Sequence, residues 1–278
     1  DAIILSDGAT QTLTSTSGGI AIQNPGTING SSGSGIEHLI LNSAASVLLD
    51  GRIGDTVALD YLTITAQDNV TFSNSIVIAG DMIISEAAQI TFEGEVTVLG
   101  DLIIGDSTDL SKIGGVSFTT GGTLDVAGDV EIYTEGVVES RARVGRVQQA
   151  TNFTIRSQDR IQFYSEFDAG NVDIRTIANK DIIFEGDVSV DGLYAEAGDL
   201  LRFSNSVLVG TGDLEFVANS IVLEGGAGSV TPTTPNTSVL TMRPFDPTLN
   251  MSVGEPVFNF GFASTRLNIT QQELGAID

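Results

Sequence analysis

Apolar and polar residues alternate with a period of two along most of the chain, and Gly, Asn, Asp or Ser interrupts the alternation every few residues. This pattern predicts short β-strands joined by tight turns. No proline occurs between Pro25 and Pro232, whereas five of the six prolines follow from that point onwards. Because proline lacks the amide donor that a central strand needs, the proline-free stretch predicts strands that are paired on both sides.

The alternating pattern is itself repeated. Asn69–Ile84 aligns with Gln89–Ile104, and each segment contains an apolar-x-Phe strand, a short turn, an apolar-x-apolar strand, Gly-Asp and a further apolar-x-apolar strand. The apolar residue that follows Gly-Asp, or that holds the same place in repeats without Gly-Asp, recurs about every 22 residues. These residues are Leu39, Leu62, Met82, Leu102, Val130, Phe153, Val172, Leu193 and Leu214.

Three short strands in a period of this length are typical of a solenoid whose stacked units share one core. A leucine-rich repeat has a similar period, but its Leu/Asn ladder is not visible. The sequence therefore predicts an all-β, right-handed parallel β-helix of about 10 turns, roughly 50 Å long. The alternation places one column of phenylalanines inside it. These are Phe72, Phe92, Phe118, Phe163, Phe184 and Phe203.

The periodicity weakens towards the end of the chain, where the prolines are concentrated. We expect a parallel β-helix over residues 1–228. Residues 229–278 are expected to form a Pro-rich linker and a small C-terminal β unit, which caps the last turn near Ile221–Leu223 or joins the next module.

Composition excludes several classes of function. The chain has 12 Lys+Arg against 36 Asp+Glu, a formal net charge of −24, which argues against nucleic acid as a partner. No run of about 18 apolar residues occurs, so membrane insertion is not expected. The absence of cysteine and the presence of a single histidine exclude metal sites built on thiolates or on several imidazoles.

Residues 48–84, LLDGRIGDTVALDYLTITAQDNVTFSNSIVIAGDMII, resemble the repeats of filamentous haemagglutinin-type adhesins and other giant repetitive bacterial surface proteins. The closing segment, VLTMRPFDPTLNMSVG followed by RLNITQQELGAI, resembles the unit that ends one module in such exoproteins. The resemblance implies a secreted or cell-surface location and a structural or adhesive role as a stiff rod in a fibre, stalk or extracellular matrix. Neighbouring modules, other copies, and host or matrix glycans are the partners that it implies. The resemblance implies no catalytic residues.

A carbohydrate-active β-helix, either a polysaccharide lyase or a depolymerase, is the alternative. Such a hydrolase needs carboxylates that converge within about 5–10 Å. The outward acids after the Gly-Asp corners are Glu131, Asp173 and Glu215, which we expect in turns too far apart to cooperate. The sequence therefore predicts that the chain is not an enzyme.

The Gly-Asp corners place Asp81, Asp101, Asp129 and Asp213 in one predicted column. A ladder of carboxylates could hold Ca²⁺, which takes six to eight oxygen ligands. A Ca²⁺-dependent surface-layer or matrix protein is thus a further alternative, and Ca²⁺ is the one cofactor considered. Asp also suits a tight corner, where its carboxylate accepts local backbone donors.

Two groups of residues are candidate interaction sites. Five arginines and one acid lie between residues 141 and 160, where the repeat is interrupted. Arg141, Arg143 and Arg146 then belong to an excursion loop that pairs with the acidic face of its own rod, or they contact another acidic copy or an acidic glycan.

The second group is an apolar strip on the outside of the rod. Ile83 and Ile103 occupy equivalent outward positions in successive repeats, where apolar residues are not required. Exposed apolar patches often mark an interface, so we expect a terminal segment or a neighbouring copy to cover them. Scattered surface aliphatics that need no partner are the alternative.

Overall fold

A computed structural model describes residues 2–23, 26–31, 36–119, 122–225, 230–232, 239–253 and 266–269. Short strands account for nearly all of the regular structure in these residues. In chain order they are β1 (Ala2–Ile4), β2 (Thr10–Ser15), β3 (Ile20–Ile22), β4 (Thr27–Asn29), β5 (His38–Ser43), β6 (Val47–Leu49), β7 (Arg52–Ile53), β8 (Tyr61–Ala66), β9 (Val70–Phe72), β10 (Ile76–Ile78), β11 (Met82–Glu86), β12 (Ile90–Phe92), β13 (Val96–Val98), β14 (Leu102–Ile104), β15 (Val116–Phe118), β16 (Thr123–Val126), β17 (Val130–Thr134), β18 (Val138–Ser140), β19 (Arg143–Val144), β20 (Asn152–Ser157), β21 (Ile161–Phe163), β22 (Phe167–Ala178), β23 (Ile182–Phe184), β24 (Val188–Gly198), β25 (Leu200–Phe203), β26 (Val207–Val209), β27 (Leu214–Val217), β28 (Ser220–Leu223), β29 (Val230–Pro232), β30 (Leu240–Arg243), β31 (Asn250–Val253) and β32 (Arg266–Ile269).

The only helical element in the described residues is a 3₁₀ turn, Leu110–Lys112. No described helix has the length and apolar character to cross a membrane.

The chain winds as a parallel β-solenoid with three faces. The first face begins with β1, β4, β7 and β10, the second with β2, β5, β8 and β11, and the third with β3, β6, β9 and β12. Each strand pairs in parallel with the strand one turn away, and the third face is a 10-stranded sheet. The expected all-β solenoid of about 10 turns is therefore confirmed. In β22 and β24 the strand continues from the first face to the second without a break.

The register agrees with the sequence repeat. The nine apolar residues from Leu39 to Leu214 are aligned from turn to turn along the second face. All of them are at most 4% exposed. Their side chains, with those of the other two faces, form one continuous core because each turn buries its apolar side only against its neighbours.

The predicted phenylalanine column is also present, but it is divided into two stacks. Phe72, Phe92 and Phe118 stack with ring centroids 4.9 and 4.7 Å apart. Further along, Phe163, Phe184 and Phe203 stack at 5.2 and 5.0 Å.

Ser140 occupies the position between the two stacks, and its hydroxyl donates to the carbonyl of Ala142. Phe153 and Phe167, from the other two faces, contact Phe163 edge-on inside the coil.

The coil extends beyond the boundary expected at residue 228. β29 pairs with β26 and β30 pairs with β27, so parallel stacking continues to Arg243. β31 and β32 then form a separate two-stranded parallel sheet, and β32 approaches β28. Much of the expected capping unit lies outside the described residues, and its capping role stays a prediction.

Candidate functional site

The second face carries most of the candidate residues. Its strands point alternate side chains outward, and the central outward position defines a column that crosses the whole rod. The members of this outer column, from β5 to β30, are Ile40, Thr63, Ile83, Ile103, Glu131, Thr154, Asp173, Tyr194, Glu215 and Thr241. The column is apolar or neutral in its first four members and mostly polar afterwards.

Ile83 and Ile103 are adjacent members of this column and both are half-buried. A loop of the same chain, residues 105–115, passes beside Ile103 after leaving β14. Among the described residues, this loop and Ile103 line one cavity, and the cover of Ile83 and Ile103 by a terminal segment stays a prediction. Association of the strip with another copy stays a prediction.

The loop at residues 105–115 is the long excursion of the coil, and it is anchored at both ends. Gly105 has φ +83°, and a Cβ there would lie 2.1 Å from the carbonyl oxygen of Tyr133, so this position requires glycine. At the other end Ile113 is fully buried, and Thr134 Oγ1 donates to its carbonyl at 2.8 Å. Between these anchors, Asp109 caps the 3₁₀ turn by accepting from the Ser111 amide.

A cavity of about 460 Å³ lies between this loop and the second face. Ile103 and Tyr133 contribute apolar surface. Carboxylates line it from three strands or loops, at Glu86, Glu131 and Asp106. Lys112 is the one basic side chain in the lining, and its Nζ lies 4.0 Å from Glu86 Oε2.

Further along the same face, Asp173 is held by two arginines. Arg175 makes a bidentate pair with it, at 2.9 Å from Nε and 3.0 Å from Nη2. Arg156, from the preceding turn, also forms an ion pair with Asp173, and its Nη1 donates to the Asp173 carbonyl oxygen at 2.9 Å. The Arg156 contacts tie β20 to β22 through side chains in addition to the backbone ladder, whereas the Arg175 pair lies within β22.

Tyr194 continues the network into the next turns. The Arg175 guanidinium lies 4.4 Å from the centre of its ring. The Tyr194 hydroxyl donates to Glu196 and accepts from Arg243 Nη2 at 3.2 Å. Arg243 Nε in turn donates to Glu215 at 2.8 Å. The result is a continuous polar strip across the later turns of the second face.

The charges in this strip alter the titration of its members. Burial acts to raise the pKa of Asp173, but hydrogen bonds from Arg175 and Arg156 outweigh it and hold the pKa below the usual range. Burial, reinforced by Glu196, raises the pKa of the Tyr194 hydroxyl. Burial likewise raises the pKa of Tyr133, with Glu131 adding to the effect. Asp173 therefore stays ionised and both tyrosines stay neutral at physiological pH.

The Gly-Asp corners form a ladder of hydrogen bonds between turns. Asp81 Oδ1 accepts from the Asp101 amide at 2.9 Å, Asp101 Oδ1 from the Asp129 amide at 2.8 Å, and Asp129 Oδ1 from the Asn152 amide at 3.1 Å. Asp213 Oδ1 accepts from the Val239 amide at 2.9 Å in the same manner.

The expectation that these carboxylates accept local donors was wrong, because each donor lies one turn further along the coil. Among the described residues no three acidic or histidine side chains converge as a metal site would require. Ca²⁺ binding at Asp81, Asp101, Asp129 or Asp213 stays a prediction.

The arginine-rich segment does not form the expected excursion loop. Within residues 139–160, the strands β18, β19 and β20 pair in register with the turns on either side, and shorter connections separate them. Phe153 and Ile155 continue the inward pattern, so the arginines take positions that point outward or lie in turns.

Each exposed arginine of the cluster has its own surroundings. Arg141 pairs with Glu139 at 3.1 Å and lies over the Tyr164 ring at 4.8 Å. Arg143 pairs with Glu166. Arg146 is exposed and forms no ion pair with a described residue. Self-pairing of the arginines with acids of the rod is thus observed at Arg141 and Arg143, and contact with another copy or a glycan stays a prediction.

Sequence reasoning did not select Tyr133, Arg175, Tyr194 or Arg243. Their positions were available from the repeat, because aligning the outward residues of each turn places Tyr133, Arg156, Arg175 and Glu196 in a second column beside Glu131 and Asp173. Tyr133, Arg175 and Arg243 lie in this second column, which the sequence prediction did not use, whereas Tyr194 lies in the outer column itself and was not selected.

Comparison of the chain with protein-family models, with curated proteins and with solved structures gives no match in any of the three.

Proposed function

We propose that this chain is a rod-forming structural and adhesive module of a secreted or cell-surface bacterial repetitive protein. The observation that carries the proposal is the uninterrupted parallel stacking from β1 to β30, with one core running through every turn. A solenoid of this kind transmits load along its axis through many equivalent backbone ladders, which suits a spacer or fibre.

Side chains reinforce the joints between turns. The aspartate ladder links successive corners, and the Arg156–Asp173 contacts link β20 to β22 on the second face. Both sets of contacts span turns rather than closing a cleft, which supports a mechanical role. The resemblance of residues 48–84 to haemagglutinin-type repeats supports the proposed location and adhesive role.

The location is tested with antibodies raised against the folded chain. We expect them to stain intact cells or to detect the protein in the culture medium, while a cytosolic marker in the same samples stays undetected. Detection only after the cells are lysed would contradict the proposal. Pulling single molecules by their ends tests the rod, and we expect stepwise loss of turns at forces well above those of a helical bundle.

A carbohydrate-active β-helix is a second candidate, favoured by one arrangement. Glu131, Asp173 and Glu215 lie in the outer column two turns apart, about 10 Å at ~4.8 Å per turn. That separation is at the upper limit for carboxylates that cooperate across a water. The arginines that hold Asp173 ionised make it a poor proton donor.

Incubation with a panel of polysaccharides, followed by assays for new reducing ends and unsaturated uronates, separates the two candidates. Product formation that is lost in Asp173→Asn would favour the enzyme.

A further inference from the structure

The cavity beside the loop at residues 105–115 has the features of a ligand site. Its volume of about 460 Å³ lies within the usual range for small-molecule pockets. Insertions in repeat proteins often build the binding face, and this loop is fixed to the coil through Gly105 and Ile113 rather than loosely attached. The wall of the cavity is therefore in place before any ligand arrives.

The charge of the cavity lining determines which class of ligand can bind. Glu86, Glu131 and Asp106 contribute three negative charges and Lys112 one positive charge, so the cavity carries a net charge of about −2. Carboxylates accept hydrogen bonds and donate none, so a ligand must bring donors. Glu86 and Glu131 come from β11 and β17, which flank β14 on its two sides, and Asp106 comes from the loop after β14, so the ligand must present donors in more than one direction.

The apolar part of the lining limits the chemical class of the ligand further. Ile103 and Tyr133 are outward residues on adjacent turns, where the fold does not require apolar side chains. They provide a surface for the flat, apolar side of a ring, and the face of a tyrosine also attracts a nearby cation. A linear polyamine has donors along a flexible chain and no ring face, whereas a sugar ring has an apolar face and hydroxyl donors around its rim.

We propose that this cavity binds an amino sugar unit whose amine is protonated, as part of a glycan chain. The sugar ring lies against Ile103 and Tyr133, and the ammonium group and hydroxyls donate to Glu131, Glu86 and Asp106. The proposal rests on the adhesive part of the proposed function. Because its test measures binding in solution, its failure would leave the rod and its cellular location untouched.

The test is calorimetric titration with a short glucosamine oligomer, at a pH at which the amine is protonated. We expect saturable binding to the wild type. Glu131→Gln removes a charged acceptor and should weaken binding roughly tenfold. The matched control is Glu95→Gln, which removes the same charge at an exposed position between β12 and β13, outside the cavity, and should leave affinity unchanged.

A second variant tests whether a more negative cavity binds the ligand more tightly. Lys112→Gln makes the cavity more negative and should tighten binding by about two- to fivefold. Lys112 is exposed, so this variant keeps the test decisive if Glu131→Gln destabilises the fold.

The N-acetylated oligomer, which lacks the charge, should bind at least about tenfold more weakly than the glucosamine oligomer. Absence of saturable binding, equal losses in Glu131→Gln and Glu95→Gln, or weaker binding in Lys112→Gln would overturn the proposal. Spermine binding as tightly as the sugar, with the same response to the variants, would overturn the assignment to a sugar.

Discussion

The early and late turns of the second face have the same backbone and very different outer surfaces. In β8, β11 and β14 the outer column holds Thr63, Ile83 and Ile103, whereas from β22 to β27 it holds Asp173, Tyr194 and Glu215. The inward residues beside them are apolar and buried in both regions. Stacking between turns therefore constrains the inside of the rod, and the outside is free to differ from one turn to the next.

The interior shows its own contrast between the two regions. The early phenylalanine stack and the late one are separated by Ser140, and rings from the other two faces contact the late stack edge-on. Wherever the column continues, stacked rings add aromatic contacts between turns to those of the aliphatic core. Removing a ring should affect stability far more than any change on the outer surface.

The largest expected effect is at Phe92. Its ring is 1% exposed and stacks on Phe72 and Phe118. Phe92→Ala should reduce the free energy of unfolding by about 3–5 kcal/mol, measured by urea denaturation. The neighbouring outward variant Thr91→Ala should cost less than about 0.5 kcal/mol. Comparable losses in the two variants would show that the ring does not belong to the core.

The aspartate ladder should give the next largest effect. Asp101→Ala leaves the Asp129 amide without its acceptor and should cost about 1–3 kcal/mol. Asp101→Asn keeps a side-chain oxygen at this position and should recover part of that loss. Equal stability of the alanine variant and the wild type would exclude a role for the ladder in joining the turns.

The polar strip should affect stability mainly through pH. The folded-state pKa of Asp173 lies below its unfolded value of about 3.9, so its ion pairs stabilise the fold fully above that pH. This contribution is lost as the pH falls below about 4 through the folded pKa. Asp173→Asn should cost about 1 kcal/mol or less at neutral pH, because the pairs are partly exposed, and should flatten the acid limb of the stability profile. An unchanged acid limb would contradict this interpretation.

The smallest effect is expected at the early outer column. Ile83→Thr gives β11 the residue that β8 has in the same column, Thr63, and should change the free energy of unfolding by less than about 1 kcal/mol. A larger loss of unfolding free energy would show that Ile83 is buried by a contact beyond those of the described residues. Sedimentation velocity of the same variant shows whether that contact involves a second copy.

The fold was predictable from the sequence because every inward position has the same requirement, an apolar side chain. Leu39 to Leu214 and the phenylalanines must be apolar to stack, so their period is visible in the residues themselves. The excursion loop was not foreseen. Leu102 and Val130 are separated by more residues than other repeats, but nothing in that count shows that Ile113 returns to the core.

The candidate site was predictable only in part, because outward residues follow no pattern. Ile103 and Glu131 were selected individually, whereas their common cavity depends on Tyr133 and on the path of the loop. The arginine-rich segment was misjudged for a related reason. Its arginines point outward or lie in turns and follow no period, whereas Phe153, one of the nine repeating apolar residues, and Ile155 hold the segment in the coil.

The most direct test of the turn-by-turn register uses engineered disulfides, since the chain has no cysteine of its own. Thr71 and Thr91 are outward neighbours in adjacent turns, and Ser117 follows one turn later. Strands one turn apart are ~4.8 Å from each other, within the range that a disulfide can span, whereas two turns are not. Under mild oxidation Thr71→Cys with Thr91→Cys should form an intramolecular disulfide, seen by mass spectrometry, and Thr71→Cys with Ser117→Cys should not. Absence of the first disulfide, or equal formation of both, would contradict the stacked solenoid.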